Sequence, residues 1–187
     1  MAQIARSVVE GLRRGEEAAY LTAVEQLLGP VYRFLLRLCG EAGAAEDLTQ
    51  ETFVAVWQGV GSFRGRSRFT TWVFGIAYHQ YLRHRDHRTV ETVPWEGEEA
   101  AARPDPEAML LQAEARRRLQ AAIAALPDPA REAFCLVQVA GLSYREASQA
   151  LGIPLGTVKS RMNAAYTLLR ERLGEEEVHG DALPTPE

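Results

Sequence analysis

Lysine is almost missing from this chain of 187 residues: apart from Lys159, every one of its 21 basic side chains is an arginine. Such a chain carries its positive charge on planar, many-donor forks suited to carboxylates and phosphates rather than on point charges. Cysteine is nearly as scarce. Cys39 and Cys135 lie in apolar helical stretches at no metal-ligand spacing, which excludes a stapled scaffold and points to buried free thiols, with a redox pair as the alternative. Long apolar runs are lacking, and the opening Met-Ala-Gln-Ile-Ala-Arg leads into no signal-peptide core. The sequence therefore reads as cytoplasmic, without membrane insertion. Alternating apolar and polar residues are also rare, which argues against a sheet, and no phosphate-cradling glycine loop is present.

What is there is the composition of a soluble globular protein, with 47% hydrophobic and 25% charged residues, enough for one sizeable core or two small ones. A formal net charge of −4 argues against indiscriminate coating of nucleic acid, but it hides a strong sorting by position. Arg64, Arg66, Arg68, Arg83, Arg85 and Arg88 are opposed only by Asp86, whereas 91–107 holds Glu91, Glu96, Glu98, Glu99, Asp105 and Glu107 against Arg103. Beyond Leu173 the charges are all acidic. Two basic docking faces joined and trailed by acidic segments fit this pattern.

Apolar residues recur at three and four, so the chain reads as all-α. Tyr20, Val24, Leu27 and Leu28 form one stripe; after Gly29-Pro30, Val31, Phe34, Leu35 and Leu38 form another. A third helix covers 44–57, with Phe53, Val56, Trp57 and Val60 on one side, and a fourth runs from about 69 to 85, capped by Ser67 or Thr70. Together these make a first domain, 1–88. Pro94, Pro104 and Pro106 among the acids mark 89–106 as a flexible linker. A second domain, 107–173, holds a long helix to Leu126, a break at Pro127-Asp128-Pro129, a helix over 130–140 and a closing pair of helices; 174–187 reads as an acidic disordered tail.

That closing pair is the most informative segment. Ser143 with Glu146 has the spacing of a capping box, Ala147, Ala150 and Leu151 give a narrow apolar stripe, Gly152 ends the helix and Pro154 forbids its continuation. A second helix then places Val158, Met162 and Ala165 inward, leaving Thr157, Lys159, Ser160, Arg161 and Asn163 facing out. Short donors and cations on the exposed first turns of a helix suit the major groove, where base edges are distinguishable. Two amphipathic helices in an ordinary bundle would share much of this pattern.

The order of these elements, with Ala45-Glu46-Asp47-Leu48-Thr49-Gln50-Glu51-Thr52-Phe53 in the first domain, Phe69-Thr-Thr-Trp72 in the fourth helix and Gly156-Thr-Val-Lys-Ser-Arg161 in the last, resembles the bacterial sigma factors. The match is to the extracytoplasmic-function (ECF) group, which keeps only the second and fourth sigma domains, and it covers most of 20–173. The resemblance implies a factor that binds core RNA polymerase and promoter DNA, needs no cofactor or metal, and is no enzyme itself. It implies polymerase docking through Asp47, Gln50 and Glu51, which share a helix side with Val54, although a merely solvated face would look similar.

It further implies that the loop over 61–67 holds a base extruded from the minus-ten element, with Arg64, Arg66, Arg68, Arg83, Arg85 and Arg88 neutralising phosphates. Trp72, Phe74 and Tyr78 offer either stacking surfaces or core. The minus-thirty-five element falls to Thr157, Lys159, Ser160, Arg161 and Asn163, with Arg145 on a phosphate. An anti-sigma partner is implied by the family alone. Two departures stand out: the reading helix is uncharged from Asn163 to Arg170, and Arg83 stands where an acid is common. An operator-binding regulator with the same helix-turn-helix is the alternative function, but no receiver-like strand pattern accompanies it. A metal-dependent nuclease would need a convergent acid pair that is not visible. Of His79, His84 and His87, His79 is about 140° from His84 around a helix, so one helix cannot converge all three on a metal.

Overall fold

The computed structural model describes residues 4–87 and 106–174. The expectations for Arg88, for most of the linker and for the acidic tail lie outside them. Among the described residues there are eight α-helices: α1 (Arg6–Arg13), α2 (Glu17–Cys39), α3 (Ala42–Gly59), α4 (Phe69–His87), α5 (Pro106–Ala124), α6 (Asp128–Phe134), α7 (Tyr144–Leu151) and α8 (Leu155–Leu173). No helix among them is long and apolar enough to cross a membrane.

The first module is built on α2, against which α1, α3 and α4 pack. Two helices were expected here, broken at Gly29-Pro30, yet α2 runs unbroken through Pro30. Proline removes one helical hydrogen bond, the one the Gln26 carbonyl would accept, and Gln26 is exposed, so water can replace it. Leu27, Val31, Phe34, Leu35 and Leu38 all lie buried along this one helix, and that shared burial holds it together across the break. Phe34 meets Phe74 of α4 edge-on, ring centres 5.3 Å apart, and both are fully buried. The predicted stripe of α3 is right for Phe53 and Val56 but not for Trp57, which is 41% exposed. Ser67 donates its hydroxyl to the Arg68 carbonyl instead of capping α4.

In the second module α6 passes into a π-helical turn (Cys135–Val139) rather than continuing as an α-helix to 140. The helix-turn-helix follows. Ser143 and Glu146 form the full capping box, and Gly152 takes φ 66°, the left-handed conformation that closes α7 before Pro154 starts α8. Val158, Met162, Ala165 and Leu169 turn inward.

The two modules do not stand apart. Helix α7 packs on α4, and α2 packs on both α5 and the π-helical turn, so the buried apolar residues form one continuous core from Ile4 to Leu169. Cys135, wholly buried there, is a free thiol whose pKa burial pushes up to about 12, which leaves it protonated and unreactive. Phe74→Ala should destabilise the chain by about 3–5 kcal/mol and lower its melting temperature by roughly 10 °C, whereas Val54→Ala, on the exposed side of α3, should change stability by less than about 0.5 kcal/mol. Thermal melts followed by circular dichroism check both.

Candidate nucleic-acid and polymerase interfaces

Three surfaces carry the residues singled out from the sequence. On α3, Asp47, Gln50 and Glu51 are all exposed on one side with Val54. Trp57 extends this face by one turn, held edge-on by Tyr20 of α2 with ring centres 5.0 Å apart. The result is an acidic and amide surface bordered by an apolar ring, able to take both the arginines and the apolar groups of a partner helix.

The second surface is a depression between the Val60–Ser62 turn and α4, lined by Ser62, Phe63, Arg64, Arg66, Ser67 and Trp72 and enclosing about 220 Å³. Pockets for drug-sized ligands run from about 300 to 1,000 Å³, so this one suits a single small planar group. Trp72 is only partly buried, while Phe74 and Tyr78 belong to the core, which settles the open choice for those two. Phe63, Phe69 and Trp72 pack into a cluster, edge-on or tilted, with centres 5.2–5.6 Å apart. Arg13 of α1 donates to the Phe63 carbonyl and lays its guanidinium over the Phe63 ring, 5.6 Å from the centroid. Sequence reasoning passed over this arginine because nothing local links it to a loop 50 residues away.

The third surface is the start of α8. Lys159, Ser160 and Asn163 are exposed, Thr157 is half-buried, and the Ser160 hydroxyl donates to the Thr157 carbonyl at 2.9 Å. Arg145 of α7 is exposed. Arg161 is drawn inward, with 26% of its side chain exposed and its Nη1 3.8 Å from a carboxylate oxygen of Glu132.

The other arginines divide in the same way. Arg64 and Arg66 are exposed at the pocket, and Arg83 is exposed but donates to Gln80 of its own helix. Arg85 reaches Glu132 at 2.9 Å, and Arg68 reaches Glu146 at 3.2 Å. Glu132 is 4% exposed and also accepts the Tyr78 hydroxyl at 2.8 Å. Burial, then that bond, holds the Tyr78 phenol well above its ordinary pKa, so it stays a donor. Glu146 accepts from the Ser143 hydroxyl and amide at 2.7 and 2.9 Å and from Thr71 of α4 at 3.0 Å. Burial alone would raise its pKa, but the Ser143 and Thr71 bonds and the Arg68 charge outweigh it and bring the carboxyl below the usual range.

Helices α7 and α8 thus form a helix-turn-helix, packed on a helical module that bears an arginine-lined pocket and an exposed acidic face. Residues 23–89 match the Sigma-70 region 2 family, and residues 116–169 match Sigma-70, region 4. The ECF RNA polymerase sigma factor SigE of Mycolicibacterium smegmatis is 36% identical over 156 residues, which are 81% of this chain and 60% of that protein's length. The RNA polymerase sigma-H factor of Pseudomonas aeruginosa is 30% identical over 179 residues, covering 90% and 93% of the two chains. Among solved structures, the sigma factor RpoE in complex with the anti-sigma factor NepR from Bartonella quintana superposes with a TM-score of 0.66 at 25% identity, over 84% of this chain and 98% of that one. CnrH in complex with the cytosolic domain of CnrY shares the fold, with a TM-score of 0.69 at 21% identity over 90% and 96% of the chains. The chain belongs to the sigma-70 family of transcription initiation factors, in its ECF group.

Because the folded pKa of Glu146 is lowered, its contribution to stability is present above the unfolded value of about 4.5 and is lost as pH falls through the folded value. Glu146→Gln should therefore be clearly less stable than the native chain at neutral pH, and the gap should close as acidification passes below the lowered folded value. Denaturant titrations of both proteins across this range measure it.

Proposed function

We propose that the chain docks on core RNA polymerase through Asp47, Gln50 and Glu51 and directs initiation by gripping a promoter at two places. Residues 1–88 serve the polymerase and the minus-ten element, residues 107–173 the minus-thirty-five element, and 89–106 the link between them. The observation that carries this reading is the succession, on one chain, of an exposed acidic face on α3, an arginine-lined pocket before α4 and a helix-turn-helix with an exposed polar reading turn. Each part is chemically suited to its task. The pocket offers Trp72 as a stacking wall and Arg64 and Arg66 as phosphate partners, returning part of the few kcal/mol lost when a base leaves its stack. Lys159, Ser160 and Asn163 present donors to base edges, and Arg145 stands where a phosphate contact would fix the register of α8.

The chain supplies recognition and strand capture, and the polymerase supplies the chemistry. It works in the cytoplasm, needs no cofactor, and is held in check by an anti-sigma protein, a reading supported by the complex of its relative RpoE with the anti-sigma factor NepR.

Charge reversal on α3 tests the docking face. Asp47→Lys with Glu51→Lys should weaken association with core polymerase at least about tenfold, because like charges then face the partner, while helical content stays unchanged. Pull-down against purified core enzyme is the readout, and undiminished binding would remove the assignment. On DNA, Arg145→Ala should weaken binding uniformly and reduce the slope of log affinity against log salt by about 0.9. Lys159→Ala should instead erode discrimination between promoter and altered sequences by about 1–3 kcal/mol.

A further inference from the structure

We infer that Arg13 of α1 is a positioning residue for the pocket before α4: from outside the loop it fixes Phe63 and, through that ring, the Trp72 wall offered to a base. Arg13 lies outside the residues that match Sigma-70 region 2, which begin at 23. The inference deepens the function proposed above and rests on its reading of the pocket as a base site; the ordering of the loop by Arg13 does not. Its starting point is the seating of α1. Val9 and Leu12 are buried, and α1 packs on α2. Gly11 lets that packing be close, because a Cβ there would lie 2.7 Å from the Cβ of Ala19, nearer than two carbons can approach. Seated so near α2, α1 also touches the Val60–Ser62 turn, and Arg13 leaves its last turn beside Phe63.

The guanidinium acts twice on one residue. Its Nη2 donates a charge-assisted bond to the Phe63 carbonyl, and the same planar group lies 5.6 Å from the centre of the Phe63 ring. Lysine could supply the charge but not both contacts from one plane. Backbone and ring of Phe63 are thereby set together, and the ring meets Phe69 at 5.5 Å and Trp72 at 5.2 Å. The loop's own bonds reach only a few residues. The Phe63 amide donates to the Val60 carbonyl at 3.1 Å, the Ser62 hydroxyl to the Gly59 carbonyl at 2.7 Å and the Ser67 hydroxyl to the Arg68 carbonyl at 3.3 Å. Gly65, at φ 69°, adds a turn that favours glycine and fixes nothing by packing. At the far end Arg68 is tied to Glu146 at 3.2 Å, and Arg13 ties the near end from 50 residues away. A loop with short-range bonds alone must be ordered when a ligand arrives, at a cost to affinity; a loop held in advance avoids that cost.

Amide hydrogen exchange of 64–67 in the full chain tests the ordering, and binding to a mixed-sequence DNA single strand of about ten nucleotides tests its consequence for the pocket. Arg13→Ala should speed exchange across 64–67 about tenfold, as loss of a charge-assisted bond implies, while the buried centres of α2 and α4 exchange as before. Strand affinity should fall about threefold or more, with the slope of log affinity against log salt unchanged. An arginine that merely met a phosphate would instead reduce that slope by about 0.7. Arg13→Lys keeps the charge and should recover less than half of either loss, measured on a logarithmic scale. It also serves if Arg13→Ala loses its helical circular dichroism. Unchanged exchange in the loop, unchanged affinity for a strand the native chain binds, a reduced salt slope, or full recovery with lysine would each overturn the proposal. A native chain that does not bind the strand would strike the base-site reading, and with it the pocket's part in the function proposed above, while exchange would still decide whether Arg13 orders the loop.

Discussion

A carboxylate that water cannot reach must be satisfied by the protein, and Glu132 at 4% exposure is such a group. Leaving a buried charge without its partners costs about 3–5 kcal/mol, enough to consume a large part of a domain's stability. Glu132 therefore constrains everything near it. The Tyr78 hydroxyl is kept protonated and donating, Arg85 is drawn across from α4, and Arg161 leans back from the reading face of α8. Helix α7 packs on α4 and α2 on the π-helical turn, and the continuous apolar core runs through both contacts.

This arrangement ties arginines singled out from the sequence to the electrostatics of the fold. Arginine-rich chains recognise phosphate and carboxylate with the same planar fork, so a surface built for one will accept the other. Where the first module offers arginines, the second offers acids, and the pair can satisfy itself. Surfaces outside these pairings remain open: the acidic side of α3, the pocket with Arg64 and Arg66, and the Lys159, Ser160 and Asn163 turn of α8 are exposed.

Much of this was legible from local patterns. The capping box at Ser143 and Glu146, the left-handed Gly152 and the inward Val158 and Met162 follow from rules acting over a few residues, and they are found as read. The acidic side of α3 likewise follows from spacing alone. Pro30 misled because proline reports a local cost, whereas the continuity of α2 is decided by burial along its whole length. Trp57 misled because its apolar character satisfies a face but not a core. Least legible was Glu132. Its signal was faint, an acid set between Ala130 and Ala133 where apolar neighbours mark a buried side, and its partners lie 47 and 54 residues away on another module. Arg13 was hidden for the same reason. No periodicity encodes a contact between distant segments, so the arginines could be singled out without revealing that acids of the same chain pair with Arg68, Arg85 and Arg161.

The account depends most on two modules of one chain acting together on separated promoter elements. Mapping transcription starts from a fragmented genome, with purified core polymerase in the presence and absence of the chain, tests it directly. The account predicts new starts that share two sequence elements at a fixed separation of about 25 base pairs. Starts that share no such pair, or none that depend on the chain, would contradict it.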